Sequence, residues 1–306
     1  MGKLEKILLS VLGAVLLLSL ALLLWGTREG GRTRVRTVAI LMDGGDSGWK
    51  NFRRGVEQAA SEKNIDVRYV GRYDEEASGE KQLADLDQVL ENGADALVIL
   101  PVDGKALTDR LEELAQTETV PPVVAAGAEV TGGRIDCFVT GDNQALGTML
   151  AKAMYDAGER DCTVFRSAEE TEREAQIFWA FTAELEELGM NWRTVILPAD
   201  RTPSALENTA AAGFSAAMLE RMAESLPSSC RIYGAGAGSR IAAYLESGRI
   251  RAAAACNEYE MGYLALCAAA EVMDRGTGAN EKLDPVIATP ENLFDRPWDL
   301  MLFPVG

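Results

Sequence analysis

The sequence predicts an α/β protein made of two doubly wound, parallel-sheet lobes behind one N-terminal transmembrane helix. Three observations predict it. Residues 7–25 form one uncharged apolar run. From Val38 onward, short apolar stretches alternate with amphipathic ones. Of ten candidate strands, five fall before about position 142 and five after it, too many for one ordinary sheet and enough for two.

The apolar run comes first in the chain. ILLSVLGAVLLLSLALLLW carries no charge and shows no polar stripe, so a core helix fits it poorly. As a helix rising 1.5 Å per residue it spans roughly 28 Å, the hydrocarbon thickness of a bilayer. Trp25 sits at its far edge, where an interfacial aromatic belongs. No small-x-small site and no Cys follow it, so the segment reads as an uncleaved anchor. Residues 26–36, rich in Gly, Arg and Thr, read as a short stalk. Flanking Arg28, Arg32, Arg34 and Arg36 would, by charge counting alone, leave the C-terminal part in the cytoplasm.

Next come the β-α units. Strands are expected at 37–42, 66–70, 96–100, 122–126 and 137–140, then at 162–165, 194–197, 209–213, 231–233 and 251–255. Helical patterns cover 49–63, 80–92, 107–116, 143–157, 172–188, 216–224, 239–246 and 260–275. Strands that are apolar throughout, mostly followed by helices, signal a parallel sheet covered on both faces. In such sheets ligands sit beyond the carboxyl ends of the strands. Two facing lobes would place those ends around one cleft.

Composition narrows the chemistry. The 306 residues hold 30 Lys+Arg against 47 Asp+Glu, a formal charge of −17. Beyond residue 36 the balance is 24 basic against 45 acidic. Such a domain does not displace counterions from nucleic-acid phosphates. The sequence contains no His, which removes Ser-His-Asp and Cys-His catalysis and His-containing zinc sites. No nucleophile–base pair stands out, and no cofactor is implied.

Several short motifs now fall in register. Asp46-Ser-Gly-Trp49-x-x-Phe52-x-x-Gly55 follows the first strand, and Asn92-Gly-Ala-Asp-Ala-Leu-Val-Ile-Leu-Pro101-Val-Asp103 spans the third. Thr140-Gly141-Asp142-Asn143-x-x-x-Gly147, Asn257-Glu-Tyr-Glu-Met-Gly262 and Thr289-Pro-Glu-Asn292-Leu come later. Together they resemble the type I periplasmic-binding-protein superfamily, in its sugar-binding branch near ribose-binding proteins, across nearly all of residues 37–306. The resemblance implies two Rossmann-like lobes joined by three crossings and binding without chemistry. Lobe 1 would comprise 37–142 plus 257–283, and lobe 2 143–256 plus 284–306. The implied crossings are Gly141/Asp142, Cys256/Asn257 and Val286/Ile287. DNA-binding repressors of the same fold begin with a helix-turn-helix headpiece, whose place the apolar anchor takes here. An extracytoplasmic location follows from the resemblance and is given precedence over the arginine count.

The resemblance also implies ligand positions. Asp46 and Trp49 occupy polar and aromatic positions of the first loop. Asp103, Asp142, Ser215 and Asn257 stand at strand ends facing the cleft, and Arg201 falls near an aromatic position. Much of the usual sugar-gripping set is changed: Gly127 and Ala128 replace an acidic-basic pair, Ile177 stands at the substrate-Arg position, and Cys256 replaces a Gln. A polyhydroxylated sugar would leave hydroxyls unpaired here, at about 1–3 kcal/mol each. Two outcomes stay open: a flatter, less hydroxylated ligand on Trp49, or a cleft that serves a partner protein.

Other motifs have plainer readings. Gly234-Ala-Gly-Ala-Gly238-Ser239 is a tight strand-to-helix turn capped by Ser239 rather than a phosphate cradle. Glu169-Glu170-Thr-Glu172-Arg-Glu174 caps a helix start in preference to holding a metal. Phe178, Trp179 and Phe181 read as core, and the five cysteines as buried free thiols. The function expected is a membrane-anchored, extracytoplasmic solute-binding protein. Its partners would be a small-molecule ligand and an ABC permease or sensor kinase, with no nucleic acid. The competing reading is a non-transport interaction protein that contacts another envelope protein.

Overall fold

The computed structural model describes residues 35–42, 49–71, 78–117, 119–198, 201–204, 209–295 and 298, with isolated positions 2, 15 and 19. The candidate membrane segment and stalk lie almost wholly outside those residues. Among the described residues no helix is long and apolar enough to cross a membrane. The chain divides into two units, Met1–Val35 and Arg36–Gly306.

Within the second unit, β1 (Arg36–Leu41), β2 (Ile65–Val70), β3 (Ala96–Ile99), β4 (Val123–Ala126), β5 (Cys137–Gly141) and β11 (Glu281–Leu283) form one sheet in the order β11-β5-β4-β3-β1-β2. Every pairing in it is parallel. A second sheet runs β12-β10-β9-β8-β6-β7. Its strands are β6 (Asp161–Ser167), β7 (Asn191–Leu197), β8 (Ala210–Gly213), β9 (Arg231–Ala235), β10 (Ile250–Ala255) and β12 (Val286–Ala288). Only β12 is antiparallel to its neighbour in that sheet. These sheets are lobes 1 and 2.

Eight helices connect the described strands: α1 (Lys50–Lys63), α2 (Gly79–Asn92), α3 (Gly104–Thr117), α4 (Asn143–Asp156), α5 (Glu172–Glu187), α6 (Ala216–Ser225), α7 (Ser239–Glu246) and α8 (Glu258–Arg275). The two-residue period of a strand explains the layering. Val38 and Ile40 of β1 face Phe52, Val56 and Ala265 on α1 and α8. Ala39 and Leu41 face Leu86 and Leu107 on α2 and α3. In lobe 2, Val164 and Ala212 meet Phe181 and Leu185 of α5. Ala211 and Ile232 meet Leu219 and Ile241 on the other face. All ten expected strands are present; β11 and β12 are additions of three residues each.

The chain passes between the sheets after Gly141, after Ala255 and after Leu283. The last passage lies at Asp284 and Pro285, whereas Val286 and Ile287 already belong to β12. Two motif glycines serve helix packing. A Cβ on Gly55 of α1 would overlap the Tyr259 carbonyl of α8, and one on Gly262 would overlap the Phe52 carbonyl. Gly147 of α4 does the same against α5, where a Cβ would lie 2.5 Å from the Ile177 oxygen.

Candidate functional site

The cleft is built at the carboxyl ends of the strands. Trp49 immediately precedes α1, its carbonyl accepting from the Arg53 N–H at 3.0 Å. Its indole is nearly buried and stands edge-on to Phe52, 5.5 Å between ring centroids. Gly127, at φ +79°, makes this possible: a Cβ there would come 3.1 Å from the indole edge. Gly127 therefore has a local reason to be glycine, since the indole needs that space.

Across the cleft, α5 points its first turn at lobe 1. The Arg173 guanidinium lies 5.8 Å from the centre of the Trp49 ring, within cation–π range. It also acts on the Cys256 thiol, tending to lower its pKa, although burial wins and pushes that thiol up to about 11. Arg173 is half-buried and forms no ion pair among the described residues. A cation in the first turn opposes the helix dipole, and this one lies within a run of glutamates without pairing to any. That mismatch was the available sequence signal, and reading the run as caps hid it. The position thought to hold the ligand arginine, Ile177, is fully buried core.

Four of the expected ligand residues turn out to cap helices. Asp103 Oδ1 accepts from the Ala106 N–H at 2.9 Å, and Asp142 Oδ1 from the Ala145 N–H at 2.9 Å. Ser215 Oγ accepts from the Met218 N–H at 3.3 Å, and Asn257 Oδ1 from the Glu260 N–H at 3.2 Å. All four lie where strands hand over to helices, and the two aspartates keep a second oxygen. Arg201 is exposed beyond edge strand β7, and its carbonyl is held by Arg221. Asp46 lies outside the described residues.

Direct polar contacts join the lobes beside Trp49 and Arg173. Glu172 Oε2 accepts from the Gly104 N–H at 3.1 Å, and the Glu172 N–H donates to the Pro101 carbonyl at 3.3 Å. Gln176 Oε1 accepts from the Glu129 N–H at 3.1 Å, and its Nε2 donates to the Glu129 carbonyl at 2.9 Å. Two grooves flank this seam. One, about 570 Å³, runs past Asp142, Asn143, Gln176, Trp179 and Lys282. The other, about 550 Å³, is lined by Glu80, Asp103, Glu169, Glu170 and Glu172.

Three sequence expectations change in detail. The glycine-rich loop is a turn, but Gly238 is the cap residue, with no side-chain cap bond, and Ser239 is already helical. Trp179 is 63% exposed rather than core, unlike Phe178 and Phe181. The acidic run is used within the protein: Thr171 and Glu174 form a capping box, Glu170 pairs with Arg166, and Glu172 reaches lobe 1. Among the described residues no three or more Cys, Asp or Glu side chains come together as a metal site would require.

Comparison with known proteins fits this geometry. The family described as Periplasmic binding protein domain matches residues 38–278. The chain belongs to that family. Its members bind rather than transform their ligands, and this chain is no enzyme. A 106-residue stretch is 27% identical to the ribose import binding protein RbsB of Bacillus subtilis, 35% of this chain and 33% of that protein. The match thus spans about a third of the curated relative's length. An ABC transporter solute binding protein from Agrobacterium vitis, bound with α-D-tagatopyranose, has a TM-score of 0.75 at 16% identity. That superposition covers 88% of this chain and 100% of the other. A putative LacI transcriptional regulator from Bacteroides fragilis has a TM-score of 0.72 at 17% identity, covering 85% and 99%. The last two likenesses show the fold alone.

Proposed function

We propose that this periplasmic-binding-protein domain is tethered to the outer face of a membrane by residues 7–25 and closes on a small, sugar-like or less hydroxylated solute. It hands that solute to an ABC permease or reports it to a sensor kinase. The observation that carries the reading is Trp49 on lobe 1 facing Arg173 on lobe 2, which has no ion-pair partner among the described residues, at the strand ends of both sheets. A flat indole suits the C–H face of a ring, and a guanidinium offers five donors to hydroxyl or carboxylate oxygens. Asp142 and Asn257, at two of the lobe crossings, and Asp103 and Ser215 would contribute their remaining polar capacity. Asp46 and Arg201 would complete the rim.

A panel of pentoses, hexoses, deoxy sugars and sugar acids, scored by melting temperature, tests the proposal. At about 100 times Kd a true ligand adds roughly 2.7 kcal/mol, a rise of several degrees for a domain this size. No shift across the panel favours the second reading, a protein-contacting domain, which gains support from the lobes being bonded directly to each other. Protease added to intact cells tests the location: digestion of the acidic domain supports it, and protection contradicts it.

A further inference from the structure

Gln176 of α5 has every amide position occupied. Its Oε1 receives the Glu129 N–H and, at 3.0 Å, Asn143 Nδ2; its Nε2 donates to the Glu129 carbonyl and, at 3.3 Å, to Glu172 Oε1. The polarity of these partners fixes the orientation of the amide. Asn143, at the start of α4, also donates to the Gly127 carbonyl at 3.0 Å, so a second lobe 2 residue grips the same lobe 1 loop.

Four residues earlier on the same helix face, Glu172 accepts from the first N–H of α3, where the helix dipole favours a carboxylate. Gly104 admits it: a Cβ there would stand 3.0 Å from Glu172 Oε2. Asp103 already caps α3 through Ala106, so Glu172 is a second cap supplied from the opposite lobe. All these bonds run from protein to protein.

We infer that the first two turns of α5 are a latch, in which Glu172 and Gln176 hold the lobes shut through the lobe 1 backbone at Pro101, Gly104 and Glu129. Closure is then intrinsic to the chain. A solute enters through the minor open population and must outcompete the latch, so its apparent affinity falls by the open fraction. This inference does not depend on which solute the cleft takes, nor on whether it takes one.

The test is a distance measurement between nitroxides on Glu112→Cys in α3 and Glu169→Cys after β6, both exposed. It uses the full chain in detergent, without added solute. Cys267→Ser removes the half-buried thiol, leaving four buried ones. The parent is expected to show one short, narrow distribution. Glu172→Ala with Gln176→Ala should lengthen the mean by more than about 2 Å and broaden it. Glu172→Gln, which keeps an acceptor, should stay short. Melting curves report whether each variant folds. A long or broad distribution in the parent overturns the latch even if the double variant fails to fold. So does a folded double variant that stays short.

Discussion

At the residue scale, the cleft is defined by what two side chains lack. Trp49 has no Cβ opposing it at Gly127, and Arg173 has no carboxylate partner among the described residues. Truncating Trp49 removes a buried ring, so that variant confounds folding with binding. Arg173→Ala separates them: melting temperature should hold, while solute affinity drops about 10- to 100-fold, the worth of a hydrogen bond to a charged group. Titration calorimetry of the two proteins decides it, and unchanged affinity would remove Arg173 from the site. The thiols make a second residue-scale prediction. Burial pushes Cys137 and Cys256 up to about 11 and raises Cys162 and Cys230 too. Only Cys267 is half-exposed, so maleimide at about pH 7 should add one label to the folded chain, counted by mass. Several labels would show that the lobes open far enough to expose the crossings.

At the element scale, the motif glycines earn their positions through helix packing. A methyl group on Gly55 or Gly262 must push α1 and α8 apart. Gly55→Ala should therefore cost about 1–3 kcal/mol, read as a lower Tm, whereas helix propensity alone predicts a gain. A Tm that rises would mean that the two helices are less closely packed. This scale also shows why so much of the fold was legible. Strands such as β3 and β4 are buried from end to end, because helices cover both faces, and that leaves unbroken apolar runs. Strand β11, Glu-Lys-Leu and largely exposed, has no such run; its identity comes from pairing with β5. The site was less legible for a related reason. Asp103, Asp142, Ser215 and Asn257 were implied by the family resemblance, yet a polar residue where a strand hands over to a helix is also what a helix cap requires. Gln176 and Glu172 carry no local signal for their partners, which lie 47 and 68 residues away along the chain.

At the scale of the whole molecule, buried acids that stay protonated set the response to alkali. The Cys137 and Cys256 thiols rise from 9.0 to about 11, and the Tyr233 phenol rises as well, all chiefly through burial. In the unfolded chain these thiols begin to ionise near 9.0, while in the fold they remain neutral. Their stabilising contribution is full below 9.0 and is lost as pH climbs through about 11. Melting temperature should fall across that window, and a flat profile would contradict the burial of the crossings. The two sheets, the three passages between them and the matched family are the frame on which the proposed clamp rests. The latch adds that its rest position is shut.

The most direct test of the clamp is a crystal structure grown with the solute that gives the largest melting shift. The account predicts that solute against the Trp49 indole and within hydrogen-bond reach of the Arg173 guanidinium, with its polar atoms on Asp142 or Asn257. A solute seated instead in the groove beside Trp179 and Lys282, with the indole of Trp49 untouched, would contradict it.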